Sequence, residues 1–249
     1  MALDVVSKVE VPELVEKRQT QILKAAIELY GKQGYHVTTI REVADRAKVS
    51  VGLIYQYVRD KEDVLFLALV EVLDSYQREI PRALEGLADP MERFCAAVHA
   101  YGRVIDERIE ATLLVYRETK SLGLPRREVL KAKEIESNRL ISDCIEDCIR
   151  AGLFDEVDVE MLTYMIVMFC HAWALKSWRF RGRLAIATYV DRGLQLMLHS
   201  VVTARGQRSL AAVDAQRLQA SRATPVPAAR KAAVSRPAAA PTPRRTRRA

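Results

Sequence analysis

Residues 38–64 of this 249-residue chain encode two very short helices, a tight turn between them, and the start of a third helix. Thr39 is a good N-cap residue, and Glu42 three positions later completes a capping box. The first helix has room for only about two turns, and a helix of that length is not stable alone in water. The segment must therefore pack against neighbouring helices, which points to a small helical bundle.

The second short helix is predicted to be exposed on one side. Ser50 is its N-cap, and Gly52 leaves its first turn bare of a side chain. Ile54 and Val58 point inward at i, i+4. The side chains predicted to lie outside are Val51, Leu53, Tyr55, Gln56 and Tyr57. Exposed large aromatics need a reason, and two helices joined by a tight turn are how proteins place a helix end in the DNA major groove.

From about Arg18 to Leu69 the chain resembles the DNA-binding domain of the TetR/AcrR family of transcriptional regulators. The residues in family register are Gly34, Tyr35, Thr38, Thr39, Ile40, Val43, Ala44, Ala47, Val49, Ser50, Gly52, Tyr55, Lys61 and Glu62. Two positions depart from the pattern, because Lys48 stands where the family has Gly and Val58 where it has Phe. The turn therefore needs another way to hold its backbone, and the core at Val58 is smaller.

The resemblance implies which residues meet DNA. The implied phosphate contacts are Thr39, Tyr55, Tyr57 and Lys61, and the implied base-facing surface is Val51, Gly52, Leu53 and Gln56. The N-cap residue Ser50 is a further DNA-binding candidate. Hydroxyls, an ammonium group and helix N-termini hold phosphates, which fixes position without reading sequence. Gln56 suits adenine, and Val51 or Leu53 suits a thymine methyl. The alternative is an ordinary helical hairpin in which both tyrosines only pack at the rim.

Composition favours an all-α fold in two domains with a tail. Helix formers are abundant, only ten residues are glycine, and no alternating strand pattern appears. The predicted parts are a flexible leader (1–14), the helix-turn-helix domain (15–60), a helical ligand-binding and dimerisation domain (61–203) and a disordered basic tail (204–249). The predicted longer helices are 15–33, 61–84, 90–109, 110–122, 126–150, 158–181 and 184–202.

The net charge of +7 comes from the tail. Residues 204–249 contain eleven Lys and Arg and a single acid, whereas residues 1–203 are mildly acidic. The tail is rich in Ala, Pro and Arg, so it cannot bury enough apolar surface to offset its ordering entropy. Two interpretations stay open: a solvated tail without a defined role, or a nonspecific DNA tether that acts by counterion release.

The last two predicted helices carry a dimerisation signal. The segment 161–170 is apolar nearly all round, which is typical of a helix buried on every side. The TetR resemblance implies that helices at about 158–181 and 184–202 pair with those of a second subunit. Two-fold pairing would place two reading helices one duplex turn apart, over a palindromic operator in double-stranded DNA. The alternative is a monomer whose core contains the helix at 158–181.

The resemblance also implies a small-molecule inducer, with no further cofactor. The candidate ligand-binding residues are Phe94, Val98, Tyr101, Leu113, Tyr116, Arg117, Lys120, Tyr164, Met168, Trp173, Lys176 and Trp178. Segments 114–122 and 171–179 resemble the branch of the family that senses fatty acyl-coenzyme A, in which basic residues take the phosphates. Arg179, Arg181 and Arg183 would add to that charge. The alternatives are ordinary core packing for the apolar residues and a solvated rim for the basic ones.

Other chemistry finds little support in the sequence. Cys95 with His99, and Cys144 with Cys148, offer two ligands each, which do not make a metal site. We predict neither an enzyme nor a membrane protein, and expect a bacterial, cytoplasmic, nucleoid-associated protein with buried, reduced cysteines. The predicted function is a dimeric transcriptional repressor released from its operator by a small hydrophobic inducer. The alternative is a sequence-tolerant architectural DNA-binding protein dominated by its basic tail.

Overall fold

The computed structural model describes residues 12–180 and 182–223, and this part of the chain is all-α, as predicted. Its helices are α1 (Pro12–Gln33), α2 (Ile40–Ala47), α3 (Val51–Tyr57), α4 (Lys61–Leu84), α5 (Pro90–Glu107), α6 (Ile109–Glu118), α7 (Leu124–Arg150), α8 (Val159–Leu175), α9 (Ile186–Leu198) and α10 (Ala204–Ala223). Short 3₁₀ turns follow α6 at Thr119–Ser121 and α8 at Ser177–Arg179.

Helices α1 to α3 and the start of α4 form the head of the molecule. The Glu42 backbone N–H donates to Thr39 Oγ1 at 3.2 Å, and the Thr39 N–H donates to the Glu42 carboxylate at 2.6 Å, so the predicted capping box is confirmed. The buried face of α2 consists of Ile40, Val43, Ala44 and Ala47. Because α2 and α3 are so short, caps and this buried face hold them in place.

Helix α4 runs from the head into the body, which contains α5 to α9. It packs mainly on α5 and α7, and α5 in turn packs on α7, α8 and α9. Asp89 caps α5 and Pro90 occupies its first turn, where the missing N–H costs nothing. The stacked rings of Tyr76 and Tyr101, 4.4 Å apart, join α4 to α5 at the centre of the core.

Three predicted boundaries were wrong. Helix α8 ends at Leu175 rather than 181, because its apolar run stops there and the chain turns at Lys176, whose N–H donates to the Ala172 carbonyl. Helix α9 ends at Leu198, and α6 ends at Glu118 and tightens into a 3₁₀ turn.

The predicted disordered tail begins with a helix. Residues 204–223 form α10, because their Ala, Gln, Arg and Leu residues favour helix and the Thr203 hydroxyl caps the first turn by accepting from the Gly206 N–H at 3.0 Å. The rest of the predicted tail, residues 224–249, lies outside the described residues. At the other end α1 begins at Pro12, so the predicted leader is shorter than 1–14, and residues 1–11 lie outside the described part.

Candidate nucleic-acid interface and ligand cavity

The outer face of the head presents the N-termini of α2 and α3 and the exposed side of α3. Thr39 and Ser50 cap α2 and α3 and are exposed. Gly52, Tyr55 and Gln56 are also exposed, and the Tyr55 ring keeps half of its surface accessible. Capped helix N-termini with adjacent hydroxyl and amide groups form a surface that suits phosphates and base edges.

Tyr57 does not lie on this surface. Its side chain is 2% exposed and belongs to the head core with Ile54, so the predicted outward placement of Tyr57 was wrong. Position 57 follows position 54 by three residues, which puts both on the same face of a helix. Val51 and Leu53 are half-buried against the same core, so only part of each side chain is accessible.

Lys61 is partly engaged within the protein. Its ammonium group donates to the His36 carbonyl at 2.9 Å and lies 4.5 Å from the centre of the Tyr35 ring. Partial burial lowers the pKa of Lys61, although the carboxylates of Glu42 and Glu118 act in the opposite direction. A phosphate that contacts Lys61 would therefore have to displace the His36 carbonyl or share the ammonium group with it.

The turn between α2 and α3 is held by a strained backbone. Lys48 adopts a left-handed conformation with φ of 54°, and its N–H donates to carbonyls at the end of α2. The family pattern has Gly here, and a residue with a Cβ costs about 1–2 kcal/mol more in this conformation. The turn therefore keeps its geometry with Lys48 and stores strain in it.

The body contains a partly open cavity of ≈ 200 Å³ between α4, α5, α6, α7 and α8. Its lining residues are Val72, Leu73, Tyr76, Tyr101, Thr112, Val115, Tyr116, Thr119, Glu134, Ser137 and His171. Within the described residues that line it there is one carboxylate and no Lys or Arg. The wall is therefore mostly apolar and aromatic, with a few polar groups, as in small-molecule sites.

His171 is held between two tyrosines at one side of the cavity. Its Nε2 lies 3.0 Å from the Tyr101 hydroxyl and its Nδ1 lies 2.6 Å from the Tyr116 hydroxyl. Burial lowers the pKa of His171 to about 4, so the imidazole is neutral at pH 7. Burial likewise raises the pKa of Tyr116 to about 12 and keeps Tyr101 protonated by raising its pKa well above the usual value.

Helix α7 contributes a carboxylate and a hydroxyl to the cavity. Glu134 is exposed on one side, while its neighbouring protein atoms raise the pKa of the carboxyl group by desolvation. Ser137 is fully buried and donates to the Lys133 carbonyl at 2.9 Å. Sequence reasoning missed both, and the available signal was two polar residues within the otherwise apolar stripe of Leu130 and Ile141.

The predicted ligand residues divide into three groups. Tyr101 and Tyr116 line the cavity, and Met168 lies beside it, with its sulfur 3.8 Å from the Tyr116 hydroxyl. The residues that pack in or against the core instead are Phe94, Val98, Leu113 and Trp173. The residues on the outer surface are Arg117, Lys120, Tyr164, Lys176, Trp178, Arg179 and Arg183, whereas Arg181 lies outside the described residues.

The cavity wall continues directly into contacts with the head. Arg117, next to the lining residue Tyr116, donates to the Tyr30 carbonyl of α1 at 3.2 Å. Further along, the Gly123 N–H donates to the Glu62 carboxylate at 3.1 Å. The segment 116–126 therefore touches both the cavity and the head.

Asp63 is the centre of the head–body contact. Its fully buried carboxylate accepts from the Arg59 backbone N–H at 2.7 Å and pairs with Arg126 at the start of α7. Burial alone would raise the pKa of Asp63, but the hydrogen bonds from Arg59 and the positive charge of Arg126 lower it below the usual value. Asp63 thus joins the chain just after α3 to the body through one ionised carboxylate.

Helix α8 has one buried and one accessible apolar face. Met161, Tyr164 and Met165 follow each other at helical spacing, and about half of each side chain is exposed. Leu196 on α9 is also exposed. Within a single chain the body therefore covers only one face of α8, and the other apolar face stays accessible.

Two further observations concern the burial of the cysteines and the apolarity of the helices. All four cysteines lie in the described part of the chain and are buried, as predicted, and burial raises the pKa of Cys144 to about 11 and of Cys170 to about 12. Over the residues described, no helix has the length and apolarity that a bilayer span requires.

Comparison with known proteins decides the family. Residues 22–68 match the model of bacterial regulatory proteins of the tetR family, and residues 87–201 match the tetracyclin repressor-like C-terminal domain. The transcriptional regulator HbdR of Aromatoleum sp. (strain CIB) is 49% identical over 212 residues, which are 85% of this chain and 93% of HbdR. The chain belongs to the TetR family. This TetR-family protein is therefore a helix-turn-helix transcriptional regulator and not an enzyme, as predicted.

More distant members share the architecture. The transcriptional repressor KstR2 of Mycolicibacterium smegmatis is 21% identical over 80% of this chain and 98% of its own length. The structure of AibR in complex with isovaleryl coenzyme A and operator DNA superimposes with a TM-score of 0.61 at 19% identity, covering 72% of this chain and 97% of AibR. These matches are to regulators, and none of them supports the alternative of an architectural DNA-binding protein.

Proposed function

We propose that this TetR-family protein is a dimeric repressor that binds a palindromic operator and is released by a small hydrophobic ligand, acting on the nucleoid in the cytoplasm. The observation that carries the proposal is the outer face of the head, where Tyr55 and Gln56 stand exposed beside the capped N-termini of α2 and α3. Thr39, Tyr55 and Lys61 would hold phosphates, and Gln56 would read a base edge.

The exposed apolar face of α8 supports the dimer. Met161, Tyr164 and Met165, with Leu196 on α9, form an apolar surface that a second copy would cover. A two-fold pairing of these helices brings two heads to one side of the assembly. Such a dimer would match two half-sites about one duplex turn apart.

The cavity supports a ligand with a small, mostly apolar end, and we propose the acyl group of an acyl-coenzyme A. AibR, whose structure contains isovaleryl coenzyme A, has the same fold. The cavity of ≈ 200 Å³ is below the usual range of about 300–1,000 Å³ for small-molecule sites, which favours a short acyl chain. Because the described lining lacks Lys and Arg, the phosphates would lie outside, near the exposed Lys120 that follows the lining residue Thr119.

The contacts between cavity and head support a route for release. A ligand that displaces Tyr116 or Thr119 also moves segment 117–126, which holds the Tyr30 carbonyl, Glu62 and Asp63. The two heads would then leave the spacing that the operator requires. Coupling of this kind is reciprocal, so operator binding weakens ligand binding by the same factor.

The test combines operator selection with ligand release. An operator is first selected from random-sequence duplexes, and we expect a palindrome bound by two chains. Gln56→Ala should relax preference at one base pair, whereas Tyr55→Phe should weaken all duplexes alike. If Gln56→Ala keeps the full preference of the original protein, the base-reading role of Gln56 is wrong.

Release is then measured with isovaleryl coenzyme A, with free coenzyme A and isovalerate as controls. We expect only the thioester to lower operator affinity, and Ser137→Phe, which fills the cavity, to abolish the response. Ile135→Phe is the matched control, because it adds the same ring at an exposed position of α7. Equal release by free coenzyme A, or full release from Ser137→Phe, would contradict the acyl-binding cavity.

A further inference from the structure

The wall of the cavity contains a carboxylate that no cation neutralises. Glu134 of α7 is the acid among the described lining residues, which include no Lys or Arg. Its neighbour Lys133 is engaged elsewhere, because the Lys133 ammonium pairs with Asp74 of α4 at 2.6 Å. Burial raises the pKa of the Glu134 carboxyl group, and within the part of the chain that the structure describes no hydrogen bond or opposite charge lowers that pKa again. The cavity therefore has a negative charge without a counter-charge.

The other lining groups are uncharged at pH 7. Burial raises the pKa of Tyr76, Tyr101 and Tyr116, so their hydroxyl groups keep their protons. Burial also lowers the pKa of His171 to about 4, so its imidazole is neutral. Of the lining residues that the structure describes, Glu134 alone thus carries a charge at neutral pH.

Glu134 also lies where a ligand enters. Among the lining residues, Tyr116 and Glu134 are the exposed ones, so they mark the open side of the cavity, and we call this pair the mouth. Ser137, three residues after Glu134 on the same face of α7, is fully buried and lines the interior. A ligand that reaches Ser137 from solvent therefore passes beside the Glu134 carboxylate.

A carboxylate on the ligand is incompatible with this arrangement. Two carboxylates that share a site cannot both stay ionised at low cost, so one of them takes up a proton. An anion that leaves water without a paired cation also loses its hydration, and this wall offers no cation in return. A neutral thioester or amide of the same acid meets neither cost, and its carbonyl oxygen can accept from a tyrosine hydroxyl of the wall.

We propose that Glu134 excludes ligands whose buried end is negatively charged, so that the cavity takes a neutral acyl group and rejects both the free acid and acyl groups with a terminal carboxylate. Glu134 then determines specificity at the mouth through its charge. The inference rests on the proposed function, because it takes the cavity as the acyl site, and it adds the class of acyl group that this site accepts.

The test compares ligands that share one carbon skeleton and differ in the charge at one end: isovalerate (negative), isovaleramide (neutral) and 3-methylbutylamine (positive). Calorimetric titration of the full chain at pH 7, without DNA, measures their affinities. We expect isovaleramide to bind at least about tenfold more tightly than isovalerate, because like charges repel each other at the mouth. Isovalerate should also bind with uptake of about one proton, which titrations in buffers of different ionisation enthalpy measure.

Glu134→Gln removes the charge and keeps the shape of the side chain. We expect it to reduce the preference for isovaleramide over isovalerate several-fold and to abolish the proton uptake. Glu136→Gln is the matched control, because Glu136 is exposed on α7 and does not line the cavity, and it should keep both. A purely structural role of Glu134 would lower both affinities together at a constant ratio. That result, or equal affinities for the two ligands in the original protein, would overturn the proposal.

Thioesters with and without a terminal carboxylate extend the test to the proposed ligand class. Valeryl coenzyme A and glutaryl coenzyme A have acyl chains of equal length, and only the second ends in a carboxylate. We expect the original protein to bind valeryl coenzyme A at least about tenfold more tightly, and Glu134→Gln to reduce this difference. Equal binding of the two thioesters by the original protein would contradict the exclusion of anions.

The proposed function and this inference fail in different ways. If valeryl coenzyme A binds with the expected preference but leaves the operator affinity unchanged, the proposed release is wrong and the role of Glu134 stands. Tighter binding of 3-methylbutylamine than of isovaleramide would overturn the neutral acyl class and assign the cavity to cationic ligands. Absence of binding by both isovaleramide and valeryl coenzyme A would overturn the acyl site and this inference together.

Discussion

The surface of the head and the wall of the cavity are both formed by α-helices, but different forces bring their residues together. The exposed surface of the head comes from residues 39–61, and each short helix is positioned by its own cap within one or two turns. The cavity is lined by residues as distant in sequence as Val72 and His171, brought together by the packing of five helices. Changes to the head should therefore act locally, and changes to the body should act on the whole core.

Asp63 is where the two regions meet, so its replacement should test this contrast most strongly. Asp63→Ala removes the buried carboxylate that pairs with Arg126 and accepts from the Arg59 N–H, and it leaves Arg126 only the partly exposed Glu62 carboxylate at 3.2 Å. We expect a loss of about 3 kcal/mol of unfolding free energy. Urea unfolding at pH 7 measures the loss. Glu128→Gln is the control, because the exposed Lys131–Glu128 pair contributes less than about 1 kcal/mol. Equal effects of the two changes would contradict the central role of Asp63.

His171 makes the stability of the body depend on pH between about 4 and 6.5. Its pKa is about 4 in the folded protein, against about 6.5 in an unfolded chain, so the unfolded state binds the proton first. Stability is therefore full above pH 6.5 and falls as the pH is lowered to 4, by on the order of 3 kcal/mol. His171→Gln should flatten this part of the curve in denaturant unfolding at pH 7, 6, 5 and 4. An equally steep fall in the variant would rule out His171 as its source.

The cavity shows why packing limits what sequence can predict. Tyr101 and Tyr116 were predicted to line it and do, whereas Phe94 and Trp173 are equally aromatic but pack in the core. Helical spacing gives the inward face of each helix but not the partner against which that face packs. The lining residues of α4 and α7 were missed because their place depends on contacts with residues far away in the sequence.

Thr39→Ala should test whether the head responds locally. The change removes the hydroxyl that accepts from the Glu42 N–H, and losing an N-cap costs about 1 kcal/mol. Hydrogen exchange should become faster in α2 and α3 and stay unchanged in α5 and α7. Thr39→Ser keeps the hydroxyl and should behave like the original protein. Faster exchange in α5 would show that the head and the body are not separable in this way.

Of these substitutions, Lys48→Gly should change the unfolding free energy least, and it should stabilise the protein whereas the others destabilise it. Glycine relieves the left-handed strain at φ 54° but gains freedom in the unfolded chain, which leaves a net stabilisation of about 0.5–1 kcal/mol. Lys48→Ala retains the Cβ and should give no gain. Thermal unfolding of the three proteins at equal concentration measures the difference, and a gain from alanine equal to that from glycine would contradict strain as its cause.

The head was more predictable because its signals are local. Thr39, Glu42 and Ser50 are caps that can be recognised from residues within one turn, and the structure places all three as predicted. Tyr57 was misplaced because the inward face was taken from Ile54 and Val58, and α3 ends between them at Tyr57 itself. Whether an aromatic at the last position of a helix faces inward depends on the neighbouring helix, which local spacing does not contain.

The imidazole between two phenols admits two arrangements of protons. A neutral imidazole donates a hydrogen bond through one nitrogen and accepts one through the other. One of Tyr101 and Tyr116 therefore donates a hydrogen bond to His171, and the other accepts one from it. The tyrosine that accepts from His171 can donate its own hydroxyl hydrogen to a third group. If Tyr116 is the acceptor, that group is the Met168 sulfur. If Tyr101 is the acceptor, its hydroxyl can donate to a molecule in the cavity. A ligand with a hydrogen-bond acceptor would thus select one tautomer of His171. The cavity would adapt to such a ligand by moving hydrogen atoms alone.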